Sequence, residues 1–382
     1  MNVAVTHLSL NFLGGEERLC LSFIEALKLS NHKVTLFTIE GTDWASVDQF
    51  FGGFVRPDRE IFQKSLMIRH NLIKTSILAL AYAKYVAGLI KLRREHDLVI
   101  NTYGDMVNSI ADVAYVHFPM RATLDYSQIP AFSSPVRWAI YCRIYDLVTS
   151  ILDRVNPSFL LTNSKFTQEI VREYLKRESL VLHPPVDVRS YANKTVKSEN
   201  LVITVSKFTP KRCLYRIPLI AKNTQNVKFV IVGGADEYST RTIADLRKVS
   251  KECGVENRVV LMPNIQRSRL VELLTRAKVY LHVMPSEHFG ISIIEAMAAG
   301  CVPIVHRSGG PWVDILDQNQ GKYGFSYTTI REAARLIDNV MSDEKLRMEV
   351  SGAAQGRSFE YDESMFRKNM QIIVGKLASN DG

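Results

Sequence analysis

Short apolar runs alternate with longer amphipathic stretches along most of the chain. In the first half, the apolar runs predict β-strands at residues 3–6, 33–38, 98–101, 113–116 and 159–163. In the second half, they predict strands at 201–205, 228–234, 259–262, 279–283 and 302–305. The stretches between or after these runs predict helices at about 16–29, 213–223, 291–299 and 362–377. This alternation is typical of an α/β protein whose parallel sheets are covered by helices on both faces.

The strand–helix alternation occurs twice, and a stretch at 182–200 separates the two halves. Its proline pair and polar composition are typical of a linker. A chain of 382 residues also favours two domains, because one domain commonly has roughly 100–200 residues. We therefore predict a first domain at 1–185, a second domain at 186–360 and a last segment, 361–382, that holds the final helix.

The composition indicates which kinds of partner to expect. The net charge of +9 favours anionic partners such as nucleotide phosphates or anionic lipid. Nucleic acid is disfavoured, because the most basic stretch is apolar and matches no known nucleic-acid-binding module. The five cysteines are scattered without a disulfide framework, which is typical of a reducing compartment. Residues 1–6 lead directly into a strand, so no signal peptide is expected.

The most informative segment is 286–300, Ser-Glu-His-Phe-Gly-Ile-Ser-Ile-Ile-Glu-Ala-Met-Ala-Ala-Gly. It places Glu287 and Glu295 eight positions apart, with Gly290 at a predicted helix start that follows a strand. A helix N-terminus exposes unpaired amides and the positive end of a dipole, which favour phosphate. Glu295 lies about one and a half turns into the helix and can reach sugar hydroxyls beside that phosphate. The segment thus predicts binding of a sugar nucleotide; the alternative is that both carboxylates are merely solvated.

This segment resembles the E-x7-E signature of retaining glycosyltransferases of family 4. The likeness continues through 301–315, where it is similar to the eukaryotic alpha-1,2-mannosyltransferases that extend the lipid-linked oligosaccharide of Asn-linked glycosylation. The resemblance implies the GT-B fold, with two Rossmann-like domains facing each other across a cleft and a last helix that crosses back to the first domain. It also implies retaining transfer of mannose from GDP-mannose to a polyprenyl-linked oligosaccharide or related glycan acceptor, with no enzymic general base.

The resemblance, together with strand ends and glycine turns, assigns roles to residues on both sides of the cleft. Gly14 and Gly15 follow the first strand and allow close approach to a ligand, and their spacing is not that of a nicotinamide-binding loop. The expected catalytic residues are His117, Glu287, Lys207 and Arg212. The expected donor-binding residues are Gly14, Gly15, Lys207, Lys211, Arg212, Gly233, Met262, Glu287, His288, Phe289, Gly290, Ile291, Ser292 and Glu295.

Three further expectations concern individual positions. His117 ends a strand and is expected to steady positive charge at the anomeric carbon. The family usually has an arginine followed five residues later by a lysine, whereas Lys207 and Arg212 stand here, so which cation meets which phosphate stays open. Ser164 is expected to be a structural N-cap, and the loop at 308–311 is expected to present amides to the donor.

No metal ion and no cofactor are expected besides the nucleotide-sugar substrate. The sequence has no Asp-x-Asp and no His, Cys or Asp cluster with metal-ligand spacing. We therefore expect Lys207, Arg212 and the helix dipole to neutralise the leaving diphosphate, and the enzyme to be metal-independent.

Residues 64–94 hold seven Lys or Arg among apolar residues and no acidic residue. The longest uncharged run has nine residues, too few for a membrane span, which needs about 20. The pattern fits a helix on an anionic membrane surface and, equally, an ordinary domain helix with one buried face. The same two interpretations apply to 135–152. We expect a cytoplasmic protein bound peripherally to the cytoplasmic face of a membrane.

Three alternative functions stay open at this point. A family-4 transferase that uses a UDP-sugar for cell-surface polysaccharide would share nearly all of these residues. A sugar-nucleotide epimerase also has the GT-B fold but needs additional carboxylates that the sequence does not reveal. A non-catalytic, membrane-bound GT-B subunit would keep the fold and would not need Glu287.

Overall fold

The computed structural model describes residues 1–62, 87–104, 111–119, 159–192 and 199–380, together with Ala122 and Arg143. Within these residues the chain forms one sheet of seven strands and one of six. We call the part built on the first sheet the first lobe and the part built on the second sheet the second lobe. All strand pairs in both sheets are parallel.

The first lobe has its earliest strand at the centre of the sheet. Its strands are β1 (Asn2–Thr6), β2 (Lys33–Thr38), β3 (Arg59–Phe62), β4 (Leu98–Asn101), β5 (Val113–Val116), β6 (Phe159–Thr162) and β7 (Leu180–Val181). They lie in the order β3-β2-β1-β4-β5-β6-β7. Val3 of β1 is paired with Val34 on one side and with Leu98 on the other. The carboxyl ends of β1, β4 and β5 therefore meet at one edge, where ligands of α/β folds bind.

Three helices of the first lobe have described ends: α1 (Gly15–Leu29), α2 (Trp44–Phe51) and α3 (Lys165–Leu175). Residues 87–95 are helical as well. Ser164 is the N-cap of α3, because its hydroxyl accepts a hydrogen bond from the Thr167 amide at 3.0 Å. This confirms the structural role predicted for Ser164.

The second lobe has the sheet order β10-β9-β8-β11-β12-β13. Its strands are β8 (Glu199–Val205), β9 (Lys228–Gly233), β10 (Val259–Pro263), β11 (Ala277–His282), β12 (Val302–His306) and β13 (Phe325–Tyr327). Its helices are α4 (Arg216–Ala221), α5 (Ser239–Glu252), α6 (Arg267–Arg276), α7 (Ile291–Ala298), α8 (Ile330–Ser342) and α9 (Glu344–Ser358). A π-helical turn, Pro311–Ile315, follows β12. Helix α7 packs against β11 and β12 and starts at the carboxyl edge of the sheet.

The last helix, α10 (Glu363–Asn380), packs into the core of the first lobe although it follows the second lobe in the chain. Phe366, Met370 and Ile373 are buried there. The Phe366 ring meets the Phe23 ring of α1 edge to face, with centroids 5.3 Å apart. The last helix therefore ties the end of the second lobe to the first. The boundaries at 185/186 and 360/361 stay predictions.

All ten predicted strands are present, with ends shifted by at most two residues. The helix predicted at 213–223 is shorter, because residues 210–212 form a 3₁₀ turn that Cys213 ends in a left-handed conformation (φ 53°). Three short strands, β3, β7 and β13, escaped prediction because they have two to four residues each and lie at the sheet ends. The parallel α/β architecture predicted from the sequence is confirmed.

Most of the predicted membrane segment, at 63–86, lies outside the described residues, and so does 135–152 apart from Arg143. In the described end of the first segment, Leu89 and Leu92 are buried in the first lobe while Lys91 is exposed. Arg93 forms an ion pair with Asp112 at 2.8 Å. This end is therefore a helix with one buried face. Across the parts of the chain that can be described, no helix has the length and apolar character needed to cross a membrane.

Candidate functional site

The turn before α7 depends on a glycine. Gly290 is the N-cap of the helix and has φ 105°, a backbone conformation that residues with a Cβ rarely adopt. A Cβ at this position would lie 2.6 Å from Ile293 Cδ1, so a larger residue would also clash. The Ile293 amide already donates to the Gly290 carbonyl at 3.0 Å. The amides of Ile291 and Ser292 precede it in the first turn, where no helical carbonyl can accept them.

Glu287 is held by a guanidinium. Its Oε2 lies 2.6 Å from Arg212 Nη1, and the Glu287 side chain is only 14% exposed. Burial raises the pKa of the Glu287 carboxyl, but the adjacent Arg212 guanidinium is the largest of the influences that lower it, and the pKa is about 2. Glu287 is therefore ionised at neutral pH. The alternative, that the carboxylate is merely solvated, does not hold for this residue.

The loop at 308–311 braces this turn. The Gly310 amide donates to the Glu287 carbonyl at 2.8 Å, and Ser308 Oγ accepts from the Ser286 amide at 2.8 Å. A Cβ on Gly309 would lie 2.3 Å from the Glu287 carbonyl oxygen. The expectation that this loop presents its amides to the donor is corrected for Gly310, because that amide is used to hold the segment that carries Glu287.

Two histidines beside Glu287 are neutral. Burial lowers the pKa of His282 to about 4 and that of His288 to about 3. The His282 Nε2 atom lies 3.5 Å from Glu287 Oε2, and since His282 is neutral this contact is not an ion pair. The charge next to Glu287 thus comes from Arg212, with Lys211 adjacent in sequence and exposed.

Glu295 faces the first lobe from the second turn of α7. Its side chain is buried, and its Oε1 accepts a hydrogen bond from the Tyr191 hydroxyl at 3.0 Å. Arg18 of α1 places Nη1 3.8 Å from the same oxygen. Burial raises the pKa of Glu295 above its ordinary value, although Arg18 opposes that effect. The sequence analysis did not foresee these partners.

The glycine loop of the first lobe meets the start of α7. A Cβ on Gly15 would lie 3.1 Å from Ile291 Cδ1, and a Cβ on Gly14 would lie 2.8 Å from Glu17 Oε2 and 3.7 Å from Lys207 Nζ. Neither glycine has a positive φ; the left-handed residue in this loop is Leu13, with φ 51°. Gly15 therefore allows close approach of the second lobe, whereas Gly14 makes room for the Glu17 side chain of its own helix.

His117 ends β5 on the same side of the first lobe. It is buried, and its Nε2 lies 3.0 Å from the Thr102 carbonyl oxygen, so Nε2 carries a hydrogen that it donates to that oxygen. Its own carbonyl accepts from Asn163 Nδ2 at 2.8 Å. The neighbouring Phe118 stacks on His288 of the second lobe, with ring centroids 4.0 Å apart and an angle of 2°. The strand end that holds His117 thus contacts the segment that holds Glu287.

The remaining expected donor residues lie at the carboxyl edge of the second sheet. Gly233 ends β9, and a Cβ there would lie 1.8 Å from the Ser206 carbonyl oxygen, so only glycine fits. Met262 of β10 is half-buried and paired with Val232. Lys207 follows β8 and is exposed. These residues line the edge where α7 begins but do not contact Glu287 or Glu295 directly.

One residue that joins the lobes was not predicted from the sequence. Asp314, in the π-helical turn of the second lobe, is 1% exposed. Its Oδ1 accepts from the Lys165 amide of α3 at 2.7 Å and from His183 Nε2 at 3.0 Å. The Ser164 hydroxyl, besides capping α3, lies 2.7 Å from the His288 carbonyl oxygen. Asp314 lies within the 301–315 segment, but no local sequence pattern indicates that it caps α3 of the first lobe.

No metal cluster was expected from the sequence. Among the side chains that the structure describes, no three His, Cys, Asp or Glu come together in a way that could hold a metal ion.

The comparisons with known proteins agree with this geometry. The family profile described as "Glycosyl transferases group 1" matches residues 189–357. The chain is 27% identical over 296 residues to the GDP-Man:Man(3)GlcNAc(2)-PP-Dol alpha-1,2-mannosyltransferase of Dictyostelium discoideum. The matched region covers 72% of this chain and 57% of that protein. It is 23% identical over 432 residues to the alpha-1,3/1,6-mannosyltransferase ALG2 of the same organism, covering 99% of this chain and 98% of that one.

The chain spans about half the length of the alpha-1,2-mannosyltransferases that it matches. Among solved structures, it is similar to Anabaena HepE in complex with UDP, with a TM-score of 0.76 and 19% identity, covering 99% of this chain and 100% of that one. At that identity the likeness shows the fold alone. The model of the glycosyl transferases group 1 family therefore matches the second lobe, and the two-lobed chain has the GT-B fold.

Proposed function

We propose that the chain is a retaining mannosyltransferase that moves mannose from GDP-mannose to a lipid-linked oligosaccharide or related glycan. The observation that carries the proposal is the start of α7, where Glu287, Glu295 and Arg212 converge with the glycine loop of the first lobe. Support also comes from the relatives, because both Dictyostelium proteins are named as mannosyltransferases.

The donor diphosphate is placed on the amides of Ile291 and Ser292, at the positive end of α7. Arg212 lies beside this point, and exposed Lys207 and Lys211 add positive charge. Glu295 then faces the ribose. The arrangement needs only these cations and the helix dipole to neutralise the departing diphosphate, so we propose transfer without a metal ion.

The mannose lies between Glu287 and the strand end that carries His117. Ionised Glu287 can accept hydrogen bonds from sugar hydroxyls once the phosphates share its Arg212 partner. As the anomeric C–O bond breaks, positive charge develops on the sugar and negative charge on the leaving phosphate. We propose that this phosphate takes the acceptor proton on the same face, which retains the configuration. The stacked Phe118 and His288 would help to exclude water when the lobes close.

The linkage and the donor each have a second candidate. We propose an alpha-1,2 linkage from the 286–315 motif, but the ALG2 relative matches nearly the whole of both chains and is named for alpha-1,3/1,6 transfer. A UDP-sugar donor is favoured by one observation, the UDP bound to the structural neighbour HepE. We also propose peripheral binding at the cytoplasmic face of an anionic membrane, on the basis of the basic, apolar segment at 64–94.

One experiment tests the activity. The full chain is incubated, without added metal, with radiolabelled GDP-mannose or UDP-glucose and with isolated lipid-linked acceptors, and the linkage of the product is analysed. We expect transfer from GDP-mannose with an alpha-1,2 linkage. Transfer from UDP-glucose alone would replace the donor assignment, and an alpha-1,3 or alpha-1,6 product would replace the linkage.

A matched pair of variants tests the site. Glu287→Gln should lower kcat by at least about 100-fold, because it removes a charge held against the sugar. Glu332→Gln is the control, since Glu332 is also paired with an arginine, Arg307 at 2.9 Å, in the same lobe. Equal activity of the two variants would contradict a role for Glu287 and favour a non-catalytic subunit.

A further inference from the structure

Arg18 occupies a position between three parts of the chain. It lies on α1, just after the glycine loop, and is 8% exposed. Its Nη2 lies 2.9 Å from Oε1 of Glu363, at the start of α10, and its Nη1 lies 3.8 Å from Oε1 of Glu295 on α7. A buried guanidinium must be paired to offset the cost of leaving water. Arg18 is thus fixed by the first-lobe core helix and presented to the second lobe.

The carboxylate opposite Arg18 is engaged through one oxygen. Both close polar contacts of Glu295, with Tyr191 and with Arg18, are to Oε1 among the residues that the structure describes. A carboxylate can accept about two hydrogen bonds on each oxygen. The other oxygen, Oε2, is therefore left to accept from a ligand, and its direction is set by the two groups that hold Oε1.

We propose that Arg18 is a positioning residue for the donor ribose: together with Tyr191 it fixes Oε1 of Glu295, so that Oε2 accepts hydrogen bonds from the ribose hydroxyls when the lobes are together. This inference rests on the proposed function, which places the ribose at Glu295. It adds a contribution of the first lobe to a donor site that otherwise lies in the second lobe.

The physical reason is charge. Burial raises the pKa of Glu295 above its ordinary value, and Arg18 is the largest of the influences that oppose this rise, ahead of Arg267 and the Tyr191 hydroxyl. Without the guanidinium, the pKa of Glu295 would rise further, and its hydrogen bonds to the ribose would lose the strength that a charged acceptor gives them. Such bonds are worth about 1.5–3 kcal/mol, which corresponds to roughly 10-fold to 150-fold in affinity.

The test compares two nucleotides on three proteins. Binding of GDP and of 2′,3′-dideoxy-GDP is measured by calorimetry with the wild-type full chain, Arg18→Met and Arg18→Lys. We expect the wild type to prefer GDP by about 10-fold or more. Arg18→Met should lose most of this preference while its affinity for the dideoxy nucleotide changes less than about twofold, and Arg18→Lys should restore part of the preference. The dideoxy nucleotide also reports whether each variant keeps a folded site.

The possible results distinguish the placement of the ribose at Glu295 from the role of Arg18. If the wild type binds both nucleotides equally, the ribose does not lie at Glu295, and the proposed donor placement fails together with this inference. If the wild type discriminates and Arg18→Met discriminates to the same extent, the role of Arg18 alone is refuted. A parallel loss of affinity for both nucleotides in Arg18→Met and Arg18→Lys would also refute it, since that result indicates a purely structural arginine.

Discussion

The Asp314 carboxylate offers the sharpest test of how the two lobes are held together. It belongs to the second lobe but accepts hydrogen bonds from the first, at 2.7 Å from the Lys165 amide and 3.0 Å from His183 Nε2, both through Oδ1. Its Oδ2 lies 3.4 Å from the Phe166 amide. Both amides belong to the first turn of α3, where no helical carbonyl is available. Asp314→Asn keeps the shape and removes the charge.

The expected cost follows from these three contacts. An amide oxygen can replace Oδ1 or Oδ2 but not both, so at least one donor is left facing an NH₂ group. Converting two charge-assisted hydrogen bonds to neutral ones costs about 1 kcal/mol each, and the unpaired donor costs about 1–3 kcal/mol more. We therefore expect the free energy of unfolding to fall by about 3–5 kcal/mol, which is also typical of breaking a buried charged contact.

Urea unfolding followed by circular dichroism measures this difference. The control is Asp343→Asn, because Asp343 is an exposed N-cap within the second lobe that accepts from the Leu346 amide at 2.9 Å. Loss of that cap should cost about 1 kcal/mol. If the two variants lose the same stability, the Asp314 carboxylate does not bridge the lobes as described, and our account of their contact is wrong.

Two further predictions concern charge. Because the pKa of Glu287 is lowered from 4.5 to about 2, its ion pair with Arg212 stabilises the fold above pH 4.5 and is lost as the pH falls toward 2. Urea unfolding should show wild type more stable than Glu287→Gln at pH 7, with the difference vanishing near pH 2; a constant difference would contradict the assigned pair. Replacing Lys84, Lys91, Arg93 and Arg94 with Gln should reduce co-sedimentation with anionic vesicles, and unchanged binding would exclude this segment as the membrane contact.

The sequence predicted the parts of the molecule that depend on local patterns. The central strands are continuous apolar runs because they are buried on both faces, and the turn before α7 needs a glycine whose φ is 105°. Ser164 could also be recognised as a helix cap, because it directly precedes the first residue of α3. Each of these features depends on a few consecutive residues, so it can be predicted from a single sequence.

The partners of the site residues could not be predicted, because they are separated widely in the chain. Glu287 meets Arg212 only after the second sheet has formed, and Glu295 meets Arg18 only after the two lobes have come together. An arginine on an amphipathic helix gives no local signal that it will be buried. The edge strand β3 (Arg59–Phe62) was missed because it is short and its two charged residues conceal the apolar pattern.

The position of the donor phosphates tests the central claim most directly. A crystal structure of the full chain with GDP-mannose would show it. We expect the β-phosphate within hydrogen-bond distance of the Ile291 and Ser292 amides and of Arg212, with the ribose at Glu295. Density for the diphosphate away from the start of α7, with those amides and Arg212 unaltered, would contradict the account.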